Sequence, residues 1–244
     1  AARIDALANI TSAIMTQAAG TTPNPALTTA DFAAIGITGV TSDNLDAVLA
    51  AIAATDNSGT GVDTLSDLQA IVSQVIAQAA QAIIDAIDLI AAYAGDATAA
   101  SGSTLPTLSD YQVAGVTGVS TSNLGAINSA LATTSLIGTN VDTQAEIQAV
   151  VDAYNKILTE ANGSATDANT NSNPAAADYT AIGATTAASL AADTEAWTLF
   201  SEVIAARTTS EVNTVAKIEA LAATVKGIMD TAAGTAANPA LTPA

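Results

Sequence analysis

Near its end the chain restates its own beginning. Residues 217–244 align with residues 3–30 at a constant shift of 214 positions, and 16 of those 28 positions are identical. A sequence that returns to the same phase is expected to fold as small units that stack on their neighbours. Such architectures span distance or present surface more often than they perform chemistry. The restart predicts one period of a longer array, with both ends of the chain inside it.

A shorter period lies within the long one. Residues 31–72 align with 110–151 at a shift of 79, pairing Asp31 with Asp110, Gly36 with Gly115, Gly39 with Gly118 and Asn44 with Asn123. A third, degenerate copy opens at Asp178 and Tyr179 and keeps Gly183, but Thr186 replaces its second glycine and the Asn-Leu pair is lost. These phases predict segments at 1–63, 64–142, 143–213 and 214–244.

Each segment is expected to hold three helical pieces. From Thr64, the apolar residues Leu65, Leu68, Val72, Val75, Ala79, Ile83, Ile87 and Ile90 follow steps of three and four, one face of a helix. Extended to Ala94, it would be about 45 Å long at 1.5 Å per residue. Equivalent helices are expected from Thr143 and Thr214 and at the chain start. Thr64 with Asp67 and Thr143 with Glu146 have the spacing of capping boxes, and so do Thr28 with Asp31 and Thr107 with Asp110. The latter pairs predict a short second helix carrying Phe32 or Tyr111, closed by a glycine. A third helix follows from about Asn44 or Asn123. The fold class is therefore all-α: an elongated tandem array of units resembling three-helix bundles.

Composition removes several functions. The 23 acidic residues face only five basic ones, so the cations needed to displace counterions from phosphates are missing, and no nucleic-acid partner is expected. Without His or Cys, the usual zinc ligands and thiolate chemistry are missing too. Gln78, Gln81, Asp85 and Asp88 interrupt the most apolar stretch, which predicts an amphipathic helix with no membrane insertion.

The residues that could carry chemistry have simpler explanations. Asp31, Phe32, Gly36, Gly39 and Asn44, repeated as Asp110, Tyr111, Gly115, Gly118 and Asn123 and in part as Asp178, Tyr179 and Gly183, could form a ligand surface. Each also answers a backbone need, as cap, buried anchor or glycine turn, and a structural role is expected. The loop from Asp56 has the oxygen-rich composition of a calcium site, with Asp56, Asn57 and Asp63 as candidates. It lacks the alternating acids and the closing Glu of an EF-hand, and a helix start accounts for Asp63. No other metal or cofactor is expected. Asp85 and Asp88 fit a solvated helix face, since no His, Lys or nucleophile lies near them in sequence. Lys156 and Lys226 suit surface ion pairs. Trp197 and Phe200 suit core packing, with a partner anchor as the competing reading. No catalytic residue is expected.

The segments DFAAIGITGVTSDNLDAVLAAI (from Asp31) and DYQVAGVTGVSTSNLGAINSAL (from Asp110), each followed by VDTLSDLQAIV or VDTQAEIQAVV, resemble the Ala/Thr/Asp-rich helical repeats of giant Bap- or RTX-type surface adhesins of Gram-negative bacteria. The likeness covers most of the chain and weakens in the third copy; the glycine-rich calcium nonapeptides of RTX proteins are not in this stretch. It implies type I secretion, an extracellular or cell-surface location, and a spacer role in attachment or biofilm. The partners it implies are neighbouring repeats of the same or identical chains and a host or matrix component. The competing expectations are a self-assembling subunit of a surface layer or matrix filament, and a host-protein-binding three-helix module.

Overall fold

A computed structural model describes residues 2–55, 61–95, 104–165 and 174–234. Among them the regular structure is entirely helical, with eleven α-helices. The chain divides into two compact units, residues 1–82 and 83–244.

The first unit contains α1 (Ala2–Ala18), α2 (Thr29–Ala34), α3 (Leu45–Ala53) and the start of α4 (Leu65–Tyr93). Its core gathers Ile14, Leu27, Phe32, Val48, Ile52 and Val72. Phe32 is fully buried, and burying a side chain of that size contributes about 1.5–3 kcal/mol.

The second unit continues α4 and adds α5 (Leu108–Val113), α6 (Leu124–Leu131), α7 (Gln144–Glu160), α8 (Ala176–Ala181), α9 (Thr185–Ser189), α10 (Thr194–Ala205) and α11 (Val215–Ala232). Its core is built around Tyr111, Ile127, Ile147, Tyr154, Tyr179 and Phe200. Helix α8 packs on α7 and α9, and α11 packs on α9, α10 and α6.

The expected helix starts are present. At α4 the Asp67 N–H donates to Thr64 Oγ1 at 3.1 Å, while the Asp67 carboxylate accepts from the Thr64 N–H at 3.1 Å. At α7 the same exchange joins Thr143 and Glu146 at 3.3 and 3.1 Å. At α2 and α5 the Asp31 and Asp110 carboxylates accept from the N–H groups of Thr28 and Thr107 at 2.8 and 2.7 Å. Asp178 accepts from Ala175 N–H at 2.7 Å, so this half of the box survives without the hydroxyl residue.

The 29 residues of α4 exceed the 17 of α7 and the 18 of α11. Thr64 to Gly95 spans 31 positions, whereas Thr143 to Gly163 spans 20. The extra length is close to three turns at 3.6 residues per turn, so the apolar stripe stays in phase. Leu68, Val72 and Val75 are buried at one end, Ala86, Ile90 and Tyr93 at the other. Residues 76–85 between them are all exposed, Ile83 and Ile84 included.

Candidate functional site

The motif residues assemble into a hydrogen-bonded turn. Gly39 and Gly118 sit at φ +87° and +78°, left-handed conformations that glycine adopts without penalty. An added Cβ would lie 3.0 Å from Ile76 Cδ1 at Gly39 and 3.1 Å from Asn155 Nδ2 at Gly118, so space also favours glycine. Asn44 ties the turn: its Nδ2 donates to Gly39 O at 2.8 Å, and its Oδ1 accepts from the Thr41 N–H at 2.8 Å. Asn123 does the same with Gly118 O at 2.8 Å and the Ser120 N–H at 2.7 Å. Phe32 and Tyr111 are fully buried anchors.

Each turn is also gripped by the long helix that follows it. Gln69 Nε2 donates to Thr38 O at 3.1 Å, while its Oε1 accepts from the Thr38 N–H at 3.0 Å. Gln148 and Thr117 repeat the pair at 3.1 and 2.8 Å. In the degenerate copy Glu219 occupies this position, five residues after Thr214 as Gln148 is five after Thr143. Its carboxylate accepts from the N–H groups of Thr186 at 2.9 Å and Ala187 at 3.3 Å. The exchange follows the backbone. An extended turn offers one N–H and one C=O, which an amide satisfies; the first turn of α9 offers N–H groups, which a carboxylate satisfies. Gln148→Glu should therefore set a carboxylate against the Thr117 carbonyl and cost about 1–2 kcal/mol, measured by urea unfolding. An unchanged midpoint would show that the grip contributes nothing.

The third copy also moves its last helix start. Asp193 caps α10, accepting from the Ala196 N–H at 3.0 Å, in place of the missing asparagine. Trp197, Phe200 and Tyr179 form an aromatic cluster: Tyr179 meets Trp197 edge-on at 5.7 Å and Phe200 at 5.2 Å. Phe200 is fully buried and Trp197 packs against the same core.

Buried polar groups are few among the described residues, and Arg207 Nε is buried without a hydrogen-bond partner. Tyr111 Oη donates to Asn128 Oδ1 at 2.6 Å, and Asn128 Nδ2 donates to Pro106 O at 2.8 Å. Tyr154 Oη donates to Val212 O at 3.0 Å. Burial raises all three of the tyrosines Tyr111, Tyr154 and Tyr179; at Tyr179 the Glu160 and Asp178 carboxylates add to it. Lys156 and Lys226 form surface ion pairs, with Asp178 at 3.0 Å and Asp230 at 2.6 Å, and Arg207 pairs with Glu211 at 3.4 Å. Asp85 and Asp88 are exposed on α4.

Helix-start carboxylates are tuned by their caps. Asp67 is held below the ordinary carboxylate range by the Thr64 hydroxyl and then by Asp63. Glu146 is lowered chiefly by the Thr143 side chain, and Glu211 by the Thr208 backbone N–H and then its side chain. Asp142 is raised, because it shares a hydrogen bond with Glu146. A lowered carboxylate adds stability above its unfolded pKa and loses it as pH falls through the folded value. The raised Asp142 works in the opposite sense: its contribution is full below its unfolded pKa and fades as pH rises through the folded one. The first turn of α4 should therefore lose amide protection as pH falls below the usual Asp and Glu values. At α7 the loss should be smaller, because Asp142 opposes it. Hydrogen-exchange protection factors across that range check this; equal losses at the two helices would contradict it.

Among the described residues no three His, Cys, Asp or Glu side chains come together in a way that could hold a metal ion. Of the calcium candidates, Asp56 and Asn57 lie outside the described residues, and Asp63 is exposed beside the start of α4. One groove of about 630 Å³ lies between α1 and the 22–27 loop, and one of about 510 Å³ beside Gly118, Asn155 and Ser210. By length and composition α4 is the one described helix able to cross a membrane, with a window of mean hydropathy 1.6, although Asp85 and Asp88 interrupt it.

Fold and site together define an all-α protein whose capped glycine turns recur along the chain. No protein-family model, curated protein or solved structure matches it.

Proposed function

We propose that the chain is a non-catalytic structural segment of a large, repetitive extracellular bacterial surface protein, a spacer in an adhesin stalk serving attachment or biofilm. In this reading the segments at 1–63, 64–142, 143–213 and 214–244 are successive units of an elongated array of three-helix units. One observation carries it. Ile218 of α11 is fully buried, whereas Ile4, 214 positions earlier on α1, is 71% exposed. Ala222 is likewise fully buried while its counterpart Ala8 is exposed. The α11 face is covered by a core that includes the helices before it. The matching face of α1 has the same residues at Ile4 and Ala8 but no such cover, while Leu7 is half-buried like its counterpart Leu221. A face of that kind suits contact with a neighbouring unit, whether of the same or of an identical chain.

The same open face favours a second reading, a self-assembling subunit of a surface layer or matrix filament, in which another copy supplies the cover. Light scattering separates the two: a persistent monomer supports the spacer, and concentration-dependent polymers support the filament. Small-angle scattering tests the array itself. A radius of gyration near the compact value for this length, about 18 Å, would sink it.

A further inference from the structure

We infer that the groove between α1 and the 22–27 loop is a binding site for a lysine side chain presented by a partner polypeptide. The argument is independent of the spacer reading. Positions 13 and 156 are equivalent, since α1 and α7 align without a gap at a shift of 143 and are followed by Gly20 and Gly163. Asp31 and Asp178 are likewise equivalent, each opening its copy of the motif. In the second unit Lys156 reaches across to Asp178, its Nζ 3.0 Å from Oδ1, while Asp178 Oδ2 accepts the helix-cap N–H of Ala175. In the first unit Asp31 Oδ2 takes the cap donors of Thr28 at 2.8 and 2.7 Å. Its Oδ1 receives no hydrogen bond among the described residues, and position 13 is alanine.

The space that a lysine would fill lies open there as a groove of about 630 Å³ lined by Asn9, Ala13, Thr16, Asn24, Leu27 and Asp31. Leu27 and Ala13 suit the four methylenes of a lysine stem, and the Asp31 carboxylate suits its ammonium. The groove is larger than one side chain needs. Asn9 and Asn24 line the remainder with exposed amides, complementary to peptide N–H and C=O groups. This favours a lysine within a polypeptide over a free amine.

The test is an NMR titration of the full chain with the tripeptide Ac-Ala-Lys-Ala-NH₂ at fixed ionic strength. Shifts should concentrate at Asn9, Ala13, Thr16 and Asp31. Replacing the peptide lysine by norleucine should weaken binding at least about tenfold, the loss of one charge-assisted bond. Ala13→Lys should weaken it as much by occupying the groove from within, and should melt no lower than the parent because it copies the Lys156–Asp178 pair. Asp31→Asn keeps a cap acceptor and should also abolish binding. Equal binding by the parent and Ala13→Lys, or shifts spread evenly over the acidic helices, would overturn the site. Equal affinity for 1,4-diaminobutane would overturn the polypeptide as its occupant.

Discussion

Phe200→Ala is expected to destabilise the second unit by about 3–5 kcal/mol, the usual cost of emptying a buried aromatic position. The ring has no exposed surface and lies 5.2 Å from Tyr179 and 6.0 Å from Trp197, centroid to centroid. Truncation removes its transfer free energy and two aromatic contacts, and leaves a void that α8 and α10 must collapse into. Trp197 is the only tryptophan, so its fluorescence follows this cluster directly. For a unit of this size the midpoint should fall by roughly 6–20 °C, taking about 2–4 °C per kcal/mol. If Phe200 and Trp197 were instead an anchor awaiting a partner, truncation would cost under about 1 kcal/mol and leave the midpoint nearly unchanged. The experiment thus decides between the two roles that helical spacing alone left open.

Local chemistry was legible in the sequence; pairings across the chain were not. Thr64 with Asp67 and Thr143 with Glu146 announce helix starts because both partners of the box lie within four residues. Steps of three and four gave α4 its span to within a residue, and glycine spacing located the turns. The start of α10 was harder to place. The degenerate copy runs 36 positions from Asp178 to Thr214, against 33 from Asp110 to Thr143, and the cap passes to Asp193, since any short oxygen-bearing side chain serves. Gln69 and Gln148 were visible as a shared pair, but their targets lie 31 residues upstream. The match between Glu219 and the first turn of α9 becomes readable only once that segment is known to be helical. The lysine counterpart of Ala13 was hidden for the same reason: Lys156 and Asp178 are 22 residues apart on different helices.

The buried pair Tyr111–Asn128 gives the second large prediction, and the chain contains its own control. Both residues are almost wholly shielded, and Asn128 joins the tyrosine hydroxyl to the Pro106 carbonyl. At a shift of 79 the same two positions are Phe32 and Leu49, packed in the first core without polar atoms. Hydroxyl and amide are thus present together in one copy and missing together in the other, as expected when a buried donor needs its acceptor. Asn128→Leu alone should cost about 2–3 kcal/mol, because it strands the Tyr111 hydroxyl away from water. Tyr111→Phe alone should cost about 1–2 kcal/mol, because Asn128 Oδ1 loses its donor. The double variant recreates the Phe32–Leu49 arrangement and should recover most of that loss, with a coupling energy of about 1–3 kcal/mol in a double-mutant cycle. Strict additivity in urea unfolding would mean that the two positions do not act as a pair. Recovery would mean that the two copies are alternative solutions of one packing problem, in which a polar bridge and an apolar contact can replace each other only when both ends change together.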